Sequence, residues 1–265
     1  LGNVSSAVPI SSLTYTINGG PPQNLSLGPD NLRLAQAGDF NIELDYTDLL
    51  VGSNQVVITA LDNALSSSQA VVTVNYSAGP TWSPPQNVTV NWGAATKVTD
   101  VAQVVDGQWT IDNGAARPTV LDFDRLLAIG DLSWRDYTVT VPITILSVDP
   151  SGYTGPSNGP GVGVMVRWQG HYWAENDVQP RTGWRRLGAL AWYRWKGGAT
   201  PSEGLQLVGH RGILLAESTR TLSLNTPYLF KVSITSSPNP GKPATYRFKV
   251  WEASQAEPAT WDFEQ

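Results

Sequence analysis

Apolar and polar residues alternate with a period of two along most of the chain, in short runs cut by Gly, Pro, Asn and Asp. That period sends successive side chains to opposite faces of a strand, whereas an amphipathic helix needs a repeat near 3.6. The first runs are LTYTI (13–17), NLSL (24–27), LRLA (32–35), FNIEL (40–44), NQVVITALD (54–62) and AVVTVNY (70–76). Turn-forming residues bound each of them, so the pattern predicts a small antiparallel sandwich over residues 1–77. The following stretch, PTWSPPQ (80–86) included, has no periodicity, and its prolines predict a semi-rigid linker over 78–86. Strand-like runs resume at NVTVNW (87–92) and continue to ATYRFKVWEA (244–253) without one helical repeat. They predict a second, larger two-sheet domain over 87–265, and an all-β chain as a whole.

Alternation also assigns faces. In GVGVMVRWQ (161–169), Val162, Val164, Val166 and Trp168 fall on one side, and Gly163, Met165, Arg167 and Gln169 on the other. The aliphatic side is the core side, because it would otherwise expose a long apolar patch. In LGALAWYRW (187–195), Trp192 and Arg194 share the side opposite Ala191 and Tyr193, and in GLQLVGH (204–210) Gln206 and His210 oppose Leu205 and Leu207. If the three strands are neighbours, Arg167, Gln169, Trp192, Arg194, Gln206 and His210 converge on one open surface. Trp173 and Trp184 flank the polar loop between the first two strands and are placed to close over a ligand. Trp109, Trp134, Trp168, Trp195 and Trp261 sit at strand ends or on core sides and are assigned to packing. Near the end of the chain, Lys231, Arg247 and Lys249 alternate with aromatic and aliphatic residues and read as a solvated basic face.

Composition narrows the partners. Only 15% of the residues are charged, the net charge is −5 and no polybasic run occurs, which argues against nucleic acid and anionic membranes. No apolar run reaches the ~18 residues of a membrane-spanning helix. The chain has no cysteine, so neither disulfides nor thiolate metal sites contribute. Such a chain, beginning LGNVSSAVPI, reads as part of a longer secreted or cell-surface protein with neighbouring domains. Eleven tryptophans are many, and five of them fall between residues 161 and 198, interleaved with Arg, Gln and His. An indole offers an apolar face to the C–H side of a pyranose while Arg, Gln and His reach hydroxyls or a carboxylate, so the pattern points to a polysaccharide or oligosaccharide.

Two resemblances add to this reading. AGDFNIEL (37–44), DLLVGSNQVVITALDN (48–63) and AVVTVNY (70–76) resemble the immunoglobulin-like modules that space domains in secreted bacterial proteins. DGQWTIDNG (106–114), GVGVMVRW (161–168) and TYRFKVWEASQAEPATWDF (245–263) resemble concanavalin A-like jelly rolls, and within them the 3-keto-disaccharide hydrolase-like family. The first implies a spacer, the second a jelly roll with carbohydrate binding or glycoside cleavage on one face. The chain departs from that family in opening its central strand with Gly-Val-Gly in place of Asn-Ser-Gly.

The chemistry tests divide. A sandwich glycosidase would carry Glu-x-Asp-x-Glu on one strand, and no such spacing occurs; the LDFDR segment offers only Asp122 and Asp124. A lyase needs a base and a group to neutralise a uronate, for which His210, Arg167, Gln206 and His171 are the candidates. Gly-x-Ser-x-Gly, phosphate loops and His-x-x-x-His are all absent. No cofactor is implied, although a structural calcium held by Asp122, Asp124 or Asp131 fits the hard-oxygen chemistry. The expectation is carbohydrate binding without catalysis, with a polysaccharide lyase or glycoside-cleaving enzyme on the same face as one alternative and an adhesive or structural module as the other.

Overall fold

The structure is a computed structural model that describes residues 1–30, 32–79, 87–121, 125–151, 159–171, 178–181, 188–196 and 202–265. The fold is all-β, as the alternation predicts, and its contacts divide the chain into two compact units. Unit 1 comprises residues 1–129 and 171–183; unit 2 comprises residues 130–170 and 184–265. By contact, residues 87–129 thus group with 1–77, and a segment from the middle of the chain joins them.

Unit 1 contains β1 (Gly2–Asn3), β2 (Ile10–Ile17), β3 (Gln23–Leu25), β4 (Asp39–Phe40), β5 (Gly52–Asp62), β6 (Ser67–Tyr76), β7 (Gln103–Asp106), β8 (Trp109–Asp112), β9 (Ala115–Pro118), β10 (Leu126–Ala128) and β13 (Val178–Gln179). Its main sheet has the order β13-β3-β2-β5-β6, antiparallel except for the parallel β13–β3 pair at one edge. Short pairs β1–β4, β7–β10 and β8–β9 surround it. The β8–β9 hairpin turns on Asn113-Gly114, both at positive φ (51° and 75°), the conformation that a two-residue turn demands and that Asn and Gly tolerate best. Leu13, Tyr15, Leu25, Phe40, Val56 and Ala60 form the apolar centre.

One predicted strand fails for a local reason. LRLA (32–35) alternates correctly but makes no ladder, because the Asp30 carboxylate accepts from the backbone N–H groups of Leu32, Arg33 and Leu34 at 2.8, 2.9 and 2.8 Å. A short acidic side chain has outcompeted strand pairing for three consecutive donors. Of FNIEL (40–44), Phe40 alone enters a ladder, as the second residue of β4.

Unit 2 contains β11 (Thr138–Thr144), β12 (Gly161–Val166), β14 (Ala189–Lys196), β15 (Ser202–Gly209), β16 (Leu214–Glu217), β17 (Pro227–Thr235), β18 (Thr245–Glu252) and β19 (Phe263–Glu264). They form two four-stranded antiparallel sheets, β11-β17-β18-β19 and β12-β14-β15-β16. The sheets bury one contiguous core between them, in which Val166, Tyr193, Leu207, Phe230, Val232 and Phe248 are at most 1% exposed. The residues that alternation assigns to the core side of β12, β14 and β15 are found there.

The expected solvated basic face is different in the structure. Lys231 and Lys249 stand directly opposite on β17 and β18, a like-charge pairing that destabilises a sheet unless something sits between. Glu257 does, 2.7 Å from each ammonium. The side chain of Lys249 is only 5% exposed, donates to the Pro258 carbonyl at 2.6 Å and lies over the Trp261 ring at 4.6 Å. Arg247 pairs with Glu264 at 2.9 Å. The segment after β18 therefore covers this face and sets two carboxylates, Glu257 and Glu264, against its three cations, which period-two reasoning has no means of seeing.

Candidate functional site

The outer face of the β12-β14-β15-β16 sheet carries the arrangement with most chemical content. On β12, Gly161 lies opposite Arg194 and Gly163 opposite Trp192; on β15, Gln206 lies opposite Trp192; and on β16, Glu217 lies opposite Gln206. The indole requires the first glycine and the close approach of the β14 backbone requires the second. A Cβ on Gly161 would stand 2.5 Å from Cε3 of Trp192, and one on Gly163 would stand 2.5 Å from its Cα and Cβ. With those positions bare, the ring lies over β12 while its Nε1 donates to Oε1 of Gln206 at 3.1 Å. Nε2 of Gln206 donates in turn to Oε2 of Glu217 at 3.1 Å, and Lys196 Nζ donates to the same oxygen at 2.6 Å. These hydrogen bonds, from Lys196 first and then Gln206, hold the Glu217 carboxyl below its ordinary range. Arg194 stacks on the indole with its Cζ 4.9 Å from the ring centroid, a cation–π geometry that also orients the guanidinium.

One row along, Met165, Leu190 and Val208 form a small apolar floor with Trp168 and Trp192 packed on it. Gln206 is buried at 4% exposed, whereas Trp192 and Arg194 are half-buried and Glu217 is exposed. The result is a fixed aromatic plate with a guanidinium above it and an amide–carboxylate–ammonium chain at its polar edge. Such a surface presents apolar area and directional donors and acceptors together.

Arg167 does not join this group. β12 ends at Val166, and Arg167 has φ 53°, a left-handed conformation that breaks the pleat. Its guanidinium donates to the Arg135 carbonyl through Nε (2.9 Å) and Nη2 (2.6 Å) and to Ser236 Oγ at 2.7 Å, with Asp136 at 3.4 Å. Its own N–H donates to Tyr137 Oη at 2.9 Å. Arg167 is thus a tie between the end of β12 and the chain flanking β11 and β17. The same break reverses parity for Trp168, which leaves the core side expected for it and packs in the outer apolar cluster. Gln169 is exposed beyond the strand end. His210 is exposed as well, because β15 ends at Gly209 and a 3-10 turn, His210–Gly212, begins there. Of the six residues expected on one surface, the structure brings Trp192, Arg194 and Gln206 together, and adds Lys196 and Glu217. Lys196 was legible as the next residue in register after Arg194, but Glu217 needed the β15–β16 pairing.

Trp173 and Trp184 lie outside the described residues, as do Asp122 and Asp124. Asp131 accepts from the Ser133 N–H at 2.9 Å and so closes a local turn. Among the described residues, no group of three or more His, Cys, Asp or Glu side chains is placed to hold a metal ion.

Unit 1 holds a second polar constellation that the sequence reading did not anticipate. The side chain of His171 is 6% exposed and lies with Nε2 3.6 Å from Glu43 Oε1 and Nδ1 3.8 Å from Asp106 Oδ2. Arg33 is 3.4 Å from the same Glu43 oxygen and donates to the Val105 carbonyl at 2.9 Å. Gln179, brought in by β13, donates to Tyr15 Oη at 2.7 Å and to the Glu43 carbonyl at 3.0 Å, and accepts from the Glu43 N–H. Burial pushes the Glu43 carboxyl up from its usual range, against the pull of Arg33 and Arg181. Burial likewise lowers the Arg33 guanidinium, against Glu43 and Asp106. The cause lies in the run from Phe40 to Leu44: Phe40, Ile42 and Leu44 pack in the apolar centre, which leaves Glu43, between the last two, to the other side. His171, one of the lyase candidates, is committed to this cluster.

Comparison with known proteins gives no match to a family model, to a curated protein or to a solved structure.

Proposed function

We propose that unit 2 is a carbohydrate-binding module that holds a polysaccharide or oligosaccharide on the outer face of the β12-β14-β15-β16 sheet, without catalysis. The observation that carries this reading is the Trp192 indole laid over a glycine-lined strand, with Arg194 stacked on it and the Gln206–Glu217–Lys196 chain at its edge. The partly exposed indole and the guanidinium stacked on it offer apolar area beside fixed polar groups, which suits a pyranose, apolar on its C–H face and rich in hydroxyls at its rim. The resemblance of the chain to concanavalin A-like jelly rolls and immunoglobulin-like spacers supports the same assignment, and with it an exported, multi-domain bacterial parent. No helix among the described residues is long and apolar enough to cross a membrane.

A lyase on this face would need Arg167 beside Gln206 and His210, and the guanidinium of Arg167 is instead engaged by Arg135 and Ser236. Binding is therefore the reading put forward. A glycan array probed with the full chain and with Trp192→Ala tests it. Retention of one glycan class, lost in the variant while circular dichroism is unchanged, is the expected result. Equal retention by both proteins, or none by either, sinks the proposal.

A further inference from the structure

The edge strand β6 is exposed along nearly its whole length, on both faces. It is the last strand of the unit 1 sheet, and among the described residues it pairs with β5 alone, so the backbone N–H and C=O groups on its other side have no strand partner there. Register places Ala70, Val72 and Val74 on the same face as Val56, which is buried at 2%. Val72 is nevertheless 48% exposed, and Val71 on the other face is 60% exposed. Beside this strand lies a cleft of about 270 Å³ with an apolar floor that includes Leu13, Phe40, Ile58 and Ala60 and a rim that includes Ser68 and Ala70. Natural edges are usually guarded by Lys, Pro or a bulge. Here SSQAVVTVNY contains no charge and no proline, and its pairing with β5 runs without a register shift.

The occupant is indicated by the order of side chains along the strand, which is chemically palindromic about Val72. Reading outward, Val71 matches Thr73 as β-branched residues, Ala70 matches Val74 as apolar ones, Gln69 matches Asn75 as amides and Ser68 matches Tyr76 as hydroxyls. We infer that β6 is a self-association edge, pairing antiparallel with β6 of a second copy of this chain about a twofold axis through Val72. In that register every cross-strand pair is like with like, no charges meet, and the two main sheets become one continuous sheet. Tyr76 of the second copy comes to stand beside Ser68, on the side of the sheet that holds the cleft. A charged peptide would find no complement on this edge, whereas a second β6 finds one at each position.

The absence of cysteine makes the test clean. Sedimentation of the full chain over a concentration series should show a monomer–dimer equilibrium. Val72→Cys, opposite itself in the dimer, should oxidise to a covalent dimer, while Gln69→Cys should not, since the two copies of that position lie about 20 Å apart in this register. Both sites are exposed, so Gln69→Cys also reports random collision. Val72→Lys should leave circular dichroism unchanged and weaken dimerisation by about tenfold or more, because it sets two ammonium groups face to face. A monomer at every concentration overturns the inference, as does equal cross-linking at both positions or a Val72→Lys protein that dimerises as well as the parent.

Discussion

Unit 2 and unit 1 are stabilised in different ways. Unit 2 closes two four-stranded sheets on a single apolar core, in which Phe230, Val232, Phe248 and Val250 are fully buried, and its ion pairs, including that of the covered Lys249, lie outside that core. Unit 1 has a smaller apolar centre and, on the other side of the segment after β4, an interior of charged and amide groups: Arg33, Glu43, Asp106, His171 and Gln179. An apolar core tolerates repacking at similar volume, whereas a buried polar cluster loses most when one partner is removed alone. Two members of that cluster, His171 and Gln179, come from the segment 171–183 that groups with unit 1. His171 and Gln179 are the groups that Glu43 and Tyr15 require.

The largest expected effect lies in the apolar core. Phe230→Ala should cost unit 2 about 3–5 kcal/mol, read as lost hydrogen-exchange protection in β17 with unit 1 amides unchanged. A loss spread equally over both units would mean that they are not stabilised separately. Next comes Glu43→Ala, which leaves Arg33 and His171 without their shared carboxylate and should destabilise unit 1 by about 3 kcal/mol in denaturant titration. Replacing Arg33 by Met and Glu43 by Leu together should cost clearly less than Glu43→Ala alone, because no uncompensated charge remains from that pair. If the double replacement costs more, the cluster contributes beyond pairing.

Arg167→Met should cost about 1.5–3 kcal/mol through its hydrogen bonds to Arg135 and Ser236. Glycan retention should survive it, in contrast to Trp192→Ala; a lost signal with intact fold would return Arg167 to the binding face.

The smallest effect is in the pH dependence. The Glu43 carboxyl is raised in the folded chain, so it binds more protons folded than unfolded just above its ordinary range. Its contribution is fully present below that range and is lost as pH rises through the folded value. Glu217, Glu257 and Glu264 in unit 2 are lowered, chiefly by hydrogen bonds from Lys196, Lys231 and Arg247. They stabilise at higher pH and lose that contribution as pH falls through their folded values. Glu43→Gln should therefore make stability climb more steeply with pH just above 4.5, the ordinary glutamate value, in thermal melts at stepped pH. An unchanged or shallower slope would mean that Glu43 is not held in its neutral form there.

Much of the local architecture was legible in order. Period-two runs located most strands, turn residues separated them, and the core sides of β12, β14 and β15 followed from which face was aliphatic. Legibility stopped where a single residue left the pleat. Arg167 at φ 53° and the end of β15 before His210 changed the directions of Arg167, Trp168 and His210, and nothing in the alternation marks a left-handed arginine. Asp30 similarly dissolved a strand whose pattern was correct.

By itself the sequence determined the class of the chain and the inward sides of its longer strands, because side-chain alternation is a property of each strand alone. Tertiary structure decided which strands became neighbours. Glu217 reached Gln206, Glu257 came between two lysines, and His171 met carboxylates 128 and 65 positions away in number, at Glu43 and Asp106. Those meetings depend on pairing order and chain return, which are set by the free energy of burying the whole surface rather than by any run of residues.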